Sequence, residues 1–378
     1  MGESYAVSGG ASRPRLPASG ANVCRSNRKD HPLSNPISED PRLDPRLRGM
    51  LAAIPGSSAE DSKDREELLA RMNGEGSQEA TDAIRNMMEL CDTEEIAPSA
   101  GLVVETKEFQ SEPDGNTIKI QLIRHEEGGA RPTVYYIHGG GMMIMSCYDG
   151  NYRAWGKMIA ARGVNVAMVD FRNCVSPSSA PEVAPYPAGL NDCVSGLKWV
   201  HANAAELGVD PDQIIIAGES GGGNLSIATT LRLKQEGKLD LIKGLYALCP
   251  YIAGEWPQER FPSSTENNGI LLDLHNNNGA MAYGIEELEK QNPLAWPSFA
   301  TAEGLTGLPP TMISVNECDP LRDEGIAFYR TLIEAGVEAR CRQVMGTMHG
   351  TEIFPMVCPE ISRDTAGSLA DFCRNPGR

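Results

Sequence analysis

The chain has 378 residues, of which 34 are Lys or Arg and 51 are Asp or Glu, so its formal net charge is −17. A surface this acidic repels phosphate backbones and anionic headgroups, which excludes nucleic acid and membrane surfaces as expected partners. Hydrophobic residues make up 40% of the chain, and at this length they suffice for one large core, with or without a cap.

The ten cysteines are scattered, and none lies in a C-x-x-C pair or at zinc spacing from a histidine. Several lie in strand or helix patterns, so we expect these to be buried thiols in a reducing interior, and Cys318 to be the one whose oxidation affects activity. No apolar run approaches the ~20 residues that a membrane-spanning helix needs, and no apolar signal segment follows the N-terminus. A cytoplasmic protein without a metal or cofactor is therefore expected.

The N-terminal hundred residues are predicted to lie outside the central sheet. Residues 1–40 are rich in Ser, Gly, Pro and Arg, which predicts a flexible arm. Helical spacing at 60–72 and 79–91, ahead of the first strands, assigns residues 41–100 to the N-terminal part of a helical cap. Residues 102–124 predict two antiparallel edge strands around a turn at 113–116.

From residue 133 onward, predicted strands and helices alternate. The strands are expected at 133–138, 164–170, 213–218, 242–249, 310–316 and 338–345. The helices are expected at 150–162, 187–207, 222–236, 323–335 and 360–374. This alternation predicts an α/β fold with a mostly parallel central sheet and helices on both faces.

A polar segment at 252–297, with one helix-like run near 280–290, interrupts this alternation. We interpret it as the second segment of the cap. The catalytic domain is then expected to comprise residues 101–251 and 298–378.

The motif Gly-Glu-Ser-Gly-Gly at 218–222 lies between an apolar run at 213–217 and a helical run at 225–233. A G-x-S-x-G at a strand-to-helix junction is the sequence form of a nucleophile elbow, with Ser220 as the exposed hydroxyl. A glycine-rich packing loop is the alternative. A phosphate-binding loop is disfavoured because Asn224 stands where Lys-Ser or Lys-Thr would end the motif.

A second glycine motif, His138-Gly139-Gly140-Gly141, directly follows the β-type run at 133–137. Glycines leave backbone N–H groups open, so such a loop can direct donors at a developing oxyanion. A flexible linker is the alternative, but a linker does not normally follow a buried strand. An HGGG loop is also the partner that a G-x-S-x-G elbow is expected to have.

A serine nucleophile needs a base, and only His275 and His349 follow Ser220 in the chain. His275 lies in a polar stretch without a preceding strand, whereas His349 follows the strand pattern at 338–345 in a Gly-bounded loop. We therefore favour His349, and we expect activity to be lost below about pH 6, because a protonated imidazole is not a base.

The acid that orients the base is expected after the strand at 310–316. Asp319 follows that strand edge directly, and Pro320 stiffens the turn behind it. Asp323 and Glu317 are the competitors. Asp323 better suits the start of the next helix, so we favour Asp319.

Together these motifs resemble the hormone-sensitive-lipase-like esterases, bacterial family IV of the α/β-hydrolases, over residues 100–375. The resemblance implies that Ser220 is the nucleophile, that His349 is the base and that Asp319 orients it. It further implies that Gly140, Gly141 and Gly221 supply oxyanion N–H groups. His138 would hold the HGGG loop, and Glu219 would anchor the elbow. A closer likeness to a macrolactone hydrolase within this family is carried by residues 169–173, 221–225 and the stretch that ends at 292–297.

Met142 departs from the family pattern, because most relatives carry an aromatic residue after HGGG. We expect Met142 to form a wall of the substrate site because it adjoins the loop glycines, although packing of two of the three residues Met142, Met143 and Met145 in the core is at least an equal alternative.

The expected function is a serine carboxylesterase that hydrolyses short- to medium-chain esters, with a macrolactone as a further candidate substrate. The expected partner is a small-molecule ester or lactone, and the sequence leaves monomer and homodimer open. A non-catalytic receptor on the same fold and an acyltransferase are the alternatives.

Overall fold

The computed structural model describes residues 39–53 and 59–377. Almost all of the predicted flexible arm at 1–40 therefore lies outside the described residues. No helix within the described part of the chain is both long enough and apolar enough to cross a membrane.

One eight-stranded sheet forms the centre of the molecule, and it confirms the predicted α/β-hydrolase architecture. Its strands are β1 Leu102–Gln110, β2 Thr117–His125, β3 Arg131–Ile137, β4 Asn165–Asp170, β5 Val209–Glu219, β6 Gly244–Leu248, β7 Thr311–Asn316 and β8 Ala339–Val344. Their order across the sheet is β1-β2-β4-β3-β5-β6-β7-β8. Strands β3 to β8 are parallel, whereas β2 runs antiparallel to both of its neighbours.

The helices differ in detail from the sequence prediction. They are α1 Pro45–Ala53, α2 Arg65–Met72, α3 Glu75–Glu89, α4 Gly150–Ala160, α5 Ala188–Ala202, α6 Ala204–Leu207, α7 Gly221–Gln235, α8 Ser263–Glu266, α9 Asn278–Tyr283, α10 Ile285–Glu289, α11 Ala302–Leu305, α12 Arg322–Glu334 and α13 Pro359–Arg374. The single helix predicted at 187–207 is two helices, because the chain leaves helical geometry at Asn203. The run near 280–290 is likewise divided at Gly284.

The prediction that residues 102–124 form two edge strands is wrong for the second of them. Strand β2 lies between β1 and β4, with Ile120 opposite Val169. Only β1 is an edge strand on this side. The sequence pattern of β2 does not distinguish an edge strand from an interior strand, because its partner β4 comes about 45 residues later in the chain.

Two layers of apolar side chains enclose the sheet, one on each face. Successive residues of β3 alternate between them: Tyr135 and Ile137 pack in one cluster, and Val134 and Tyr136 in the other. Helices α5, α7 and α12 cover the first face, and α4 and α13 cover the second. All six residues of β4 and of β7 are buried, as expected for strands covered on both sides.

The two predicted cap segments contact each other through polar side chains. Ser62 N–H donates to Asn277 Oδ1 at 2.8 Å, and Asn277 Nδ2 donates back to the Ser62 carbonyl at 2.8 Å. Arg71 Nη2 donates to Asn278 Oδ1 at 2.8 Å. These contacts agree with one cap built from both segments, and the division into catalytic domain and cap stays a prediction.

Candidate active site

Ser220 lies in a sharp turn between β5 and α7. Its φ of 56° and ψ of −119° are values that residues with a Cβ rarely adopt. A Cβ on Gly222 would lie 2.0 Å from the Ile137 carbonyl oxygen, so only glycine fits there. Hydrogen bonds stabilise the turn: Ser220 N–H donates to the Leu248 carbonyl, and its own carbonyl accepts from Tyr251 N–H, both at 3.0 Å. The strained backbone presents the Ser220 hydroxyl above the sheet.

Ser220, His349 and Asp319 form a continuous chain of hydrogen bonds. The Ser220 Oγ to His349 Nε2 distance is 2.9 Å, and the His349 Nδ1 to Asp319 Oδ2 distance is 2.8 Å. The three residues follow β5, β8 and β7, whose carboxyl ends meet at one edge of the sheet. Leu321 N–H donates to the other carboxylate oxygen of Asp319 at 2.9 Å and fixes its orientation.

The alternatives to His349 and Asp319 are engaged elsewhere. His275 Nε2 lies 2.8 Å from the Ser264 carbonyl. Asp323 accepts from Ser263 N–H at 2.7 Å, and Glu317 accepts from Gly346 N–H at 2.7 Å. Each of the three side chains thus holds a loop in place, and none takes part in the hydrogen-bond chain to Ser220.

The environment of His349 acts on its pKa in two directions. Burial lowers the pKa of the imidazole, since the charged form loses its hydration, but the adjacent Asp319 carboxylate outweighs this and holds the pKa above its ordinary value. The nearby Cys249 side chain acts in the same direction as Asp319, although burial raises the pKa of its own thiol to about 11. The loss of activity on acidification is therefore expected at higher pH than the sequence-based value.

The HGGG loop lies against the elbow. A Cβ on Gly221 would be 2.5 Å from Met142 N and 2.8 Å from Gly141 N, so the two backbones approach as closely as glycine allows. No acceptor within residues 39–53 and 59–377 takes a hydrogen bond from Gly140 or Gly141 N–H. Gly221 is the first residue of α7, where a helix leaves its N–H groups without intrahelical partners. The N–H groups of Gly140, Gly141 and Gly221 are thus available as donors in this part of the described chain, and Gly141 lies directly against Gly221, the residue after Ser220.

Glu219 joins the HGGG loop to the elbow from below. One of its carboxylate oxygens accepts from Gly139 N–H at 2.7 Å and from the Tyr152 hydroxyl at 2.5 Å, and the other accepts from the Tyr136 hydroxyl at 2.5 Å. Burial raises the pKa of Glu219, and the two tyrosine hydroxyls oppose that rise. Neither tyrosine was predicted from the sequence, although a buried tyrosine is itself a signal that its hydroxyl has a partner.

His138 is fully buried and stacks on Phe171, with the ring centroids 4.3 Å apart. Its Nε2 lies 3.4 Å from Asp170 Oδ1, and its Nδ1 lies 3.1 Å from the Gly139 carbonyl. These contacts connect the HGGG loop to the end of β4, which agrees with the structural role that the resemblance implies.

Met142 adopts a positive φ of 61°, and only 1% of its surface is exposed. Its side chain packs within the core cluster, while Met143 and Met145 remain half-buried. This burial favours a packing role for Met142, and its assignment as a substrate wall stays a prediction.

The donor atoms of Cys249, Asp319 and His349 lie within 4.8 Å of one another. Their chemistry would suit a soft divalent metal. Both ring nitrogens of His349 are, however, already engaged by Ser220 and Asp319. A metal would therefore have to replace these hydrogen bonds.

Comparisons with known proteins show which family this chain is similar to. The model of a family described by its α/β hydrolase fold matches residues 134–353. Carboxylesterase NlhH of Mycobacterium tuberculosis is 34% identical over 248 residues, which cover 64% of this chain and 73% of that protein. The structure of esterase Est22 is 65% identical with a TM-score of 0.89, covering 90% of this chain and 99% of that one. Brefeldin A esterase, a bacterial homologue of human hormone-sensitive lipase, is 34% identical with a TM-score of 0.79, covering 90% of this chain and 95% of that one.

Proposed function

Because the chain belongs to the α/β-hydrolase family and is a carboxylic ester hydrolase, we propose that it acts as a serine esterase through an acyl-enzyme on Ser220. The observation that carries this proposal is the hydrogen-bond chain from Ser220 Oγ through His349 to Asp319, with distances of 2.9 and 2.8 Å.

In the first half-reaction, Ser220 Oγ attacks the ester carbonyl carbon while His349 Nε2 takes the hydroxyl proton. Asp319 keeps the other imidazole proton on Nδ1 and stabilises the imidazolium that forms. The carbonyl oxygen becomes an oxyanion, which the N–H groups of Gly140, Gly141 and Gly221 stabilise. The tetrahedral intermediate then collapses. The bond to the alkoxy group breaks, and His349 returns the proton to the departing alcohol.

In the second half-reaction, water attacks the acyl-enzyme and gives its proton to His349 Nε2. The new tetrahedral intermediate collapses to the carboxylic acid, and the proton returns to Ser220 Oγ. The enzyme is regenerated without a cofactor in either step.

The test compares variants of Ser220 and His349 with a variant of the other histidine that follows Ser220 in the chain. Ser220→Ala and His349→Ala are each expected to lower kcat by several orders of magnitude against a p-nitrophenyl ester. His275→Ala is the matched control, since it removes an imidazole of the same chain and should keep near-normal kcat. Equal losses in His349→Ala and His275→Ala, or normal turnover by Ser220→Ala, would contradict the mechanism.

For the substrate, we propose short- to medium-chain esters, with macrolactones as a second candidate. The aryl-ester assay is supported by Est22, whose structure has been determined with p-nitrophenol. The macrolactone candidate is supported by the likeness to brefeldin A esterase. A panel of linear p-nitrophenyl esters of graded acyl length, run beside macrolactones, tests this. Higher kcat/KM for long acyl chains than for short ones would contradict the proposal.

The alternatives make different predictions in the same assay. A receptor binds its ligand without repeated turnover, so product in excess of enzyme excludes it. An acyltransferase passes the acyl group to an alcohol in place of water. The acyltransferase would be favoured over the hydrolase if, at a low concentration of added alcohol, the transesterified product exceeded the free acid.

A further inference from the structure

A groove of about 800 Å³ lies along α13, between that helix and the edge strand β8. The triad occupies the carboxyl ends of the strands, whereas this groove lies toward the amino ends. Met312, near the start of β7, lines it. A Cβ on Gly244, the first residue of β6, would lie 2.8 Å from Phe372, which also lines it. The groove is therefore separate from the active site.

Four arginines from three elements line the groove, although the chain as a whole carries a net charge of −17. Strand β8 contributes Arg340 and Arg342, the turn after α4 contributes Arg162, and α13 contributes Arg363. A concentration of guanidinium groups in one concave surface is contrary to the overall charge of the molecule. It creates a local positive potential in a protein that otherwise repels anions.

The carboxylates in the groove neutralise only one of these four arginines. Asp364 pairs with Arg342 at 3.1 Å, and Asp371 pairs with Arg374 at 2.5 Å, so both aspartates are already engaged. Within residues 39–53 and 59–377, no carboxylate forms an ion pair with Arg162, Arg340 or Arg363. Three guanidinium groups therefore remain as surplus positive charge.

Backbone and aromatic contacts hold Arg162 and Arg340 in place and occupy few of their donors. Arg162 Nη2 donates to the Arg363 carbonyl at 3.1 Å, and Arg340 Nη2 donates to the Pro376 carbonyl at 3.1 Å. The Arg340 guanidinium also lies 5.7 Å from the centre of the Phe372 ring. Each guanidinium has five N–H donors in a fork that matches carboxylate and phosphate oxygens. Most of these donors are available to a ligand.

The arginines mark both ends of the groove. Arg162 and Arg363 lie near the start of α13, and Arg340 lies near its end, against Phe372. Phe372 is nine positions after Arg363, which corresponds to about 14 Å along a helix. We propose that this groove binds a small polyanion that carries phosphate or carboxylate groups toward both ends. The volume is in the range of sites for small organic ligands.

The test is calorimetric titration of the whole protein with inorganic tripolyphosphate and, separately, with citrate, at constant ionic strength. Saturable 1:1 binding of either probe is expected, and the probe that binds more tightly distinguishes phosphate from carboxylate chemistry. Arg340→Gln and Arg363→Gln should each raise the Kd by about tenfold, since each removes charge-assisted hydrogen bonds. Binding should also weaken as ionic strength rises.

Arg260→Gln is the matched control, because Arg260 also lies over a phenylalanine, 4.4 Å from the centre of the Phe261 ring, but outside the groove. This variant should leave the Kd unchanged, and all three variants should keep normal ester hydrolysis, which verifies their folding. Absence of saturable binding of both probes would overturn the proposal. So would an equal rise in Kd for Arg260→Gln. Neither result would affect the proposed esterase mechanism.

Discussion

Asp319→Asn separates the orienting role of this carboxylate from mere packing, because the two side chains have nearly the same shape. Leu321 N–H donates to Asp319 Oδ1, so the amide oxygen of the variant is expected to take that position. The amide NH₂ then faces His349 Nδ1, where the carboxylate oxygen now lies at 2.8 Å. Nδ1 can only accept from an NH₂ group, so the ring proton moves to Nε2. That nitrogen then can no longer take the Ser220 proton.

The wrong tautomer is expected to lower kcat/KM by about 10⁴-fold, which corresponds to roughly 5 kcal/mol of transition-state stabilisation at 1.36 kcal/mol per tenfold change. The pH profile should also move. Burial lowers the pKa of His349 and Asp319 is the largest influence that raises it, so removing the negative charge takes away most of the opposition to burial. The acidic limb of kcat/KM, which reports the free enzyme, should therefore shift to lower pH in the variant.

The assay is the initial rate of p-nitrophenyl ester hydrolysis across pH 5 to 9, with total p-nitrophenol quantified after quenching to one pH. Asp323→Asn is the matched control, since Asp323 is an acid four residues later, in the first turn of α12, that accepts a hydrogen bond from Ser263 N–H and does not contact His349. It should retain the wild-type rate and acidic limb. An acidic limb that stays in place or rises in Asp319→Asn, or an equal loss in Asp323→Asn, would refute this account of the base.

The remaining predictions concern the scaffold of the site. Gly222→Ala should prevent correct folding of the elbow, because its Cβ would lie 2.0 Å from a carbonyl oxygen. Gly76→Ala is the control, since a Cβ there meets open space. Equal melting temperatures for the two variants would contradict this prediction. Tyr152→Phe removes a hydroxyl that donates to buried Glu219. This variant should lower the free energy of unfolding by ~1–3 kcal/mol in urea titrations. An unchanged unfolding midpoint would disprove this prediction. Burial raises the pKa of Glu324 from 4.5 to about 8. Above pH 4.5 the unfolded chain therefore loses a proton that the folded chain keeps, so stability should fall from about pH 4.5 to 8, and Glu324→Gln should remove part of that slope.

Much of the site was predictable because parallel strands deliver their following loops to one edge of the sheet. Ser220, Asp319 and His349 each follow a segment with the pattern of a β-strand. Their order along the chain therefore indicated that they lie together at the carboxyl edge of the sheet. Asp319 could be separated from Asp323 because a carboxylate at a strand end and one at a helix start have different local surroundings.

The residues that support the site were not predictable in the same way. Tyr136 and Tyr152 contact Glu219 from 83 and 67 residues away in the chain, and their apolar neighbours make them look like ordinary core residues. The order of β2 in the sheet also depends on a partner that local patterning does not indicate. Such contacts arise from tertiary packing, which single-sequence periodicity does not contain.

The most direct test of the central claim is mass spectrometry of the protein after reaction with a fluorophosphonate. This reagent phosphonylates a serine only where a base removes the hydroxyl proton. We predict one adduct per chain, mapped to the peptide that contains Ser220, with parallel loss of ester hydrolysis and no adduct on Ser220→Ala. An unlabelled Ser220 in an active enzyme, or an adduct on another residue that accounts for the loss of activity, would contradict the proposed mechanism.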